Sequence, residues 1–240
     1  MPSHTIGIDE VGRGALAGAV YLGACRLPSH YPRFTYAHDP SRWTREHEPF
    51  RFVRDSKKLT PSRRRQAVEL TAEYTLEHAF YTASSSAIDT YGIGTCLSHL
   101  VYFLVNALGT GEILVDGQIK ILPAYNPRLV ELLRRENNFP TPLLRYPTLS
   151  TPRANEILVR REPKADDKYL AIALASNLAK VARDEEMTRL HAEFPEYGWA
   201  QNKGYGTRVH RQAIRNNPEN PHLRRTFLGN IKAVSARDTA

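Results

Sequence analysis

The 240-residue chain carries 33 Lys+Arg against 25 Asp+Glu, a formal net charge of +8 and a pI near 9.6. That length suits one large domain, or one with a small appendage, whose core needs no disulfide staples; Cys25 and Cys96 are expected as small core residues of a reducing compartment. No apolar stretch approaches eighteen residues and the start, MPSHTIGIDE, lacks the build of a secretion signal, so the chain reads as a cytoplasmic protein with no membrane span.

In chain order, TIGIDEVGRGALAGAV at 5–20 opens with a strand over 5–11, and a second strand follows over 18–26. Asp9 and Glu10 stand at the end of the first apolar run. Neighbouring strand residues point to opposite faces, so both acids serve one site only if the strand ends or bulges there, and the surrounding glycines allow that. A turn with two solvated acids is the plainer alternative. Residues 28–53, rich in Pro, His and aromatics and without a clean period, read as an inserted loop. It either extends a nucleic-acid surface through Arg42, Trp43 and Arg45 or is decoration, with decoration favoured. Thr60-Pro61 starts a helix over 61–78, and Ile93, Leu97, Leu100, Val101, Leu104 and Leu108 recur at helical spacing within 88–108. EILVDG at 112–117 is a short, doubly covered strand ending in Asp116; a further short strand is expected over 143–146. A long helix is expected from about 167 to 190, with Leu170, Leu174, Leu178 and Val181 inward, then Gly- and Arg-rich loops and a short helix near 207–216. Strands alternating with helices predict an α/β sheet covered on both faces.

The charge is concentrated. RFVRDSKKLTPSRRR at 51–65 holds seven cations against Asp55 alone, and the stretch from 198 onward is also basic. Such runs are usually solvated faces, but two of them around a carboxylate-bearing middle fit a polyanion groove better. In open α/β sheets chemistry gathers beyond the strands' carboxyl ends, where Asp116 and Asp9 meet if their strands are parallel. Asp166 and Asp167 precede the long helix; one suffices as its cap, leaving the other for different work. Converging carboxylates repel unless a cation neutralises them, and oxygen-only ligation selects Mg²⁺ or Mn²⁺ over zinc. Two such cations clamp the attacking and leaving oxygens of a phosphodiester.

The motifs GIDEVGRGALAG, DSKKLT, ILVDG, KADDKYLAIALASNLAKVARDEEM and FPEYGWAQNKGYGT, in that order from about residue 5 to 227, resemble ribonuclease HII. The resemblance implies a ribonuclease H-like mixed sheet flanked by helices, catalytic over 1–190, with a small C-terminal helical appendage over 191–240 that contributes to substrate binding. It implies a metal-dependent endonuclease with two divalent cations, Mg²⁺ or Mn²⁺. Such an enzyme hydrolyses the RNA strand of RNA/DNA hybrids and nicks duplex DNA 5′ of embedded ribonucleotides. The ends left are 3′-hydroxyl and 5′-phosphate, and the roles served are ribonucleotide removal and primer clearance.

Carried over by position, the four acids are Asp9, Glu10, Asp116 and Asp166. Asp9 is expected at the centre, Glu10 and Asp116 supporting one metal and Asp166 the other. Gly12, Arg13 and Gly14 match the segment that reads the ribose 2′-hydroxyl, the group that distinguishes RNA from DNA. Tyr205 matches the tyrosine that packs on the next deoxyribose. Lys57 and Lys58 are expected on phosphates, Ser176 and Lys180 on the backbone or the acids, and Arg224 and Arg225 on phosphates. Ala15 and Ala19 stand where the family usually has proline, which is expected to loosen the turn, and HLRRTF at 222–227 departs from HRRSF. No heptad or apolar interface stripe appears, so a monomer is expected. Ribonuclease HIII, a binder that has lost catalysis and a junction resolvase are the rival readings; four intact acids argue against the binder.

Overall fold

Apolar alternation builds the first hairpin: β1 (His4–Val11) and β2 (Val20–Pro28) pair antiparallel from His4↔Pro28 to Val11↔Tyr21. In the computed structural model, which describes residues 4–75, 77–108, 112–117, 119, 126–138, 159–229 and 231, three more strands extend this hairpin. They are β3 (Glu77–Ala83), β4 (Glu112–Asp116) and β5 (Val159–Glu162), and the sheet order is β3-β2-β1-β4-β5. β4 runs parallel to β1 and to β5, whereas β3 is antiparallel to β2. The fold is therefore the expected mixed sheet flanked by helices.

The two faces take different partners. Ile6 and Ile8, with Leu22, Ala24, Ile113 and Val115, face a core built with α2 (Ser85–Tyr91), α3 (Ile93–Leu108) and α4 (Pro127–Asn137). Gly7, Asp9 and Val11 point the other way, toward α6 (Leu170–Glu193), which follows the short α5 (Ala165–Lys168). A Cβ on Gly7 would lie 2.2 Å from the Ala171 carbonyl carbon, and one on Gly23 would lie 2.3 Å from the Ala175 oxygen. Only hydrogen at those two positions lets the helix approach the sheet backbone to backbone. On its outer side α6 is covered by α1 (Pro61–Tyr74), and residues 170–179 are buried all round.

Several boundaries differ from expectation. The helix begun at Pro61 ends at Tyr74, and residues 77–83 form β3; its half-exposed edge pattern carries little alternation. The apolar stretch over 88–108 is two helices bent by 112° at Gly92. The helix expected from 167 is interrupted at extended Tyr169, whose ring packs with Phe34. The strand expected over 143–146 lies outside the described residues. No single helix among those described is long and apolar enough to cross a membrane.

The 28–53 segment is not decoration. Phe50 and Val53 are buried with Ala67, Leu170 and Leu174; Arg33 ion-pairs with buried Glu112; and the Thr35 hydroxyl donates to the Asp167 carbonyl. Its turns are short 3₁₀ segments, which place apolar residues inward without a helical period. Of the residues expected to extend a nucleic-acid surface, Trp43 packs edge-on against Tyr36 and His47 and is half-buried.

Candidate active site

Pairing between β1 and β4 ends at Ile8↔Val115, so Asp9 and Asp116 are the first residues beyond the shared ladder, at the same sheet edge and on the α6 face. Asp166 comes to them from the first turn of α5, because the Asp116 Oδ1 accepts the Ala165 amide at 2.8 Å. Ligand oxygens of Asp9, Asp116 and Asp166 all lie within 4.8 Å of one another. The Ser176 hydroxyl, one face of α6 away, bonds Asp9 and sits 3.0 Å from Ser56 Oγ.

β1 neither ends nor bulges at residues 9–10. Its ladder with β2 continues through Asp9↔Gly23 and Glu10↔Leu22, so the two acids point to opposite faces. Glu10 is held by Arg13 at 3.3 Å and lies outside the three-carboxylate cluster, close enough to Asp116 to feel its charge. The sheet edge, rather than a bulge, is what brings the acids near one another.

Burial, and then the charges of Glu10, Asp116 and Asp166, push the Asp9 carboxyl well above its ordinary value; the Ser176 hydrogen bond opposes this. Asp166 is pushed up to about 6 by burial and by Asp55 and Asp116, against the pull of Lys57, whose Nζ is 3.8 Å away. Glu10 is raised by burial while Arg13 pulls it down. Its Oε2 is buried without a hydrogen-bond partner among the described residues. Mutually repelling buried carboxylates with an orphaned oxygen beside them fit a divalent cation, and an all-oxygen donor set fits a hard one. Asp55 joins this group by a hydrogen bond to Asp166 and escaped sequence reasoning. Its signals were being the single acid in the basic run 51–65 and the first residue of DSKKLT.

The expected basic residues are placed differently from one another. Lys57 and Lys58 stand at the rim, Lys58 Nζ 2.7 Å from Asp167. Lys180 points to Asp184 at 2.7 Å instead of to the acids. Arg225 is exposed and pairs with Glu219, while Arg224 is wholly buried. With no surface to offer, Arg224 is not a phosphate contact: its guanidinium donates to the carbonyls of Gly12, Arg13 and Gly18. Desolvation lowers its pKa to about 9.

Two of those carbonyls, of Gly12 and Arg13, belong to the Gly12–Arg13–Gly14 turn. Gly12 has φ +88°, and a Cβ there would meet the Arg183 Nε at 2.1 Å. Arg183, also fully buried and missed from sequence, donates to the carbonyls of Ala17, Ala19 and Lys203. Its guanidinium lies 5.4 Å from the Tyr205 ring, and the Leu16 amide donates to the Gly204 carbonyl. The turn is thus held by Arg224, packed against Arg183 at Gly12, and tied to the segment that presents Tyr205. Ala15 donates its amide to the Gly12 carbonyl at 3.2 Å, a bond that proline there could not make, so the alanine closes the turn instead of loosening it. Arg224→Leu leaves three buried carbonyls short of a donor, partly offset by relief of the desolvated charge. A net loss of about 2–3 kcal/mol in urea unfolding is expected, and an unchanged midpoint would exclude the clamp.

A family model described as Ribonuclease HII matches residues 49–228. Ribonuclease HII of Bacteroides thetaiotaomicron is 32% identical over 223 residues, 92% of this chain and 88% of that protein. Among solved structures, ribonuclease H2 of Pyrococcus horikoshii superposes with a TM-score of 0.62 at 23% identity, covering 95% of this chain and 97% of that one. Bst-RNase HIII in complex with Mn²⁺ superposes with a TM-score of 0.60 at 21% identity, covering 96% of this chain and 68% of that one.

Proposed function

The chain belongs to the ribonuclease HII family and is a nuclease; from that premise we propose that it hydrolyses the RNA strand of RNA/DNA hybrids and nicks duplex DNA on the 5′ side of an embedded ribonucleotide, leaving 3′-hydroxyl and 5′-phosphate ends. The observation that carries this reading is the convergence of Asp9, Asp116 and Asp166 at one sheet edge, beside a clamped glycine turn. Asp9, Glu10, Asp116 and Asp166 would hold two divalent cations, Mg²⁺ or Mn²⁺; the Mn²⁺ complex of Bst-RNase HIII supports that choice. Bound there, they would supply the Lewis-acid charge that phosphodiester hydrolysis needs.

The chain's own groups do the selecting and positioning. Gly12, Arg13 and Gly14 offer peptide groups to a ribose 2′-hydroxyl, and the two buried arginines keep that turn from adapting to a sugar without one. Tyr205, tied to the same turn through Gly204, offers a ring face that favours the following deoxyribose. Lys57 and Lys58 carry positive charge at the rim for phosphates, while Ser176 orients Asp9 by its hydrogen bond. Exposed Arg225 carries positive charge for a phosphate. Residues 1–190 form the catalytic domain in this reading, and 191–240 the small appendage that contributes to substrate binding.

The test is cleavage of a DNA duplex containing one ribonucleotide, with Mg²⁺ or Mn²⁺, beside an all-DNA duplex. A single cation-dependent nick 5′ of the ribonucleotide is expected, with the all-DNA duplex intact. Cutting of both duplexes overturns the specificity, and tight binding without cutting overturns the catalytic reading.

A further inference from the structure

The 28–53 segment and the start of α1 enclose a groove of about 410 Å³ whose wall holds four cations, Arg51, Arg54, Lys58 and Arg63, two rings, Tyr36 and Phe52, and no carboxylate. Lys58 joins this groove to the acids, since its ammonium bonds Asp167, the neighbour of Asp166. The rings face the guanidiniums. Arg63 lies 4.7 Å from the Phe52 centroid and Arg51 lies 4.2 Å from that of Tyr36. Arg51 is also taken up by Glu48 at 2.9 Å. The Arg63 guanidinium bonds neutral Gln66, and neither it nor Arg54 forms an ion pair among the described residues. The Arg54 backbone is meanwhile anchored, its carbonyl accepting from Asn177 on α6.

A guanidinium laid on an aromatic face has lost rotamer freedom before any partner arrives, so its fork is ready for a phosphate. Uncompensated positive charge disfavours an apolar occupant, and an open groove suits an extended anion more than a compact one. We propose that this groove holds the sugar-phosphate backbone of one flank of the duplex, with Arg54 and Arg63 as phosphate contacts and Phe52 as the post that aims Arg63. The inference rests on the nuclease reading above and names a substrate subsite built by the end of the 28–53 segment together with residues 54–63. It makes no use of Arg42, Trp43 or Arg45.

The test compares wild type with the Arg54→Gln/Arg63→Gln double variant, both exposed positions. The readouts are KM for nicking and the Kd of a non-cleavable duplex between 50 and 200 mM salt. Removing one cation that neutralises a phosphate makes the plot of log affinity against log salt shallower by about 0.9. The double variant is therefore expected to bind more weakly at 50 mM and to lose about tenfold less affinity than wild type across that range. The loss should fall on KM, and trimming the duplex on one flank should remove the difference between the proteins. Phe52→Leu, which keeps an apolar side chain but removes the ring, should reproduce part of it. An unchanged salt slope, or a penalty that survives trimming of either flank, overturns the subsite. Failure of the wild type to nick overturns the nuclease reading instead, and the Kd arm still decides the groove.

Discussion

Asp9→Asn is expected to lower nicking by at least about 10³-fold, the several kcal/mol that cation charge contributes to phosphodiester hydrolysis, while duplex affinity in the absence of divalent cation stays within about twofold. The same change should raise the melting temperature of the cation-free protein above neutral pH. Asp9 is buried against Asp116 and Asp166, and its carboxyl is raised well above the ordinary range, mainly by burial. For such a group the folded state binds the proton more tightly than the unfolded chain does. Stability therefore falls as pH rises from the unfolded pKa near 4 through the folded value, and Asp166, raised to about 6, adds to the same window. Asparagine keeps a partner for Ser176 without the charge. The gap between Asp9→Asn and wild type should thus widen from pH 5 to pH 8, and Mg²⁺ should close it by stabilising the wild type alone. Melting curves at both pH values, with and without Mg²⁺, measure this. A variant with full activity removes Asp9 from the centre, and a gap that does not change with pH removes the repulsion argument.

Gly7→Ala is expected to be the most damaging change in the sheet. The added carbon would sit 2.2 Å from the Ala171 carbonyl carbon and 2.3 Å from the Ile172 nitrogen, both backbone atoms of α6 that no side-chain rotation can clear. The helix must move by about 1 Å or more, against cores packed on both of its sides, at a cost of about 3 kcal/mol or more. That corresponds to a melting temperature lower by roughly 6–12 °C. Activity should fall further than stability alone accounts for, because α6 carries Ser176 to Asp9 and continues from the turn bearing Asp166. Gly94→Ala is the control: a helical position with open space around the new carbon, expected to be neutral or slightly stabilising. A Gly7→Ala protein melting within about 2 °C of wild type would mean that the close approach is not what sets the helix height.

The acids themselves were legible because each breaks a local rule. Asp9 and Asp116 end apolar strands, and the Asp166–Asp167 pair exceeds what one helix cap needs. The glycine turn and the basic runs were legible for the same reason, as local composition with few structural uses. Asp55, Arg183 and the true role of Arg224 were not, since a charged residue in a basic run or on a helix has no local mark of what lies across the fold. Arg183 bonds carbonyls more than 160 positions earlier in the chain, and Arg224 bonds carbonyls more than 200 positions earlier. The 28–53 segment has no period to read, because its apolar residues are turned inward by short 3₁₀ turns rather than by a repeating element.

By itself, then, the order of residues determined which chemistry the chain carries and where β1, β2, β4 and the helix at Pro61 begin, because hydrophobic period, caps and misplaced charges are properties of neighbours. Only the tertiary structure decided which acids share a site. The parallel pairing of β1 with β4 stops one residue short of Asp9 and Asp116, and α6 rests on Gly7 closely enough to bring Ser176 to Asp9. Such convergence depends on register and on the distance between layers, and both are set by contacts between segments far apart in the chain.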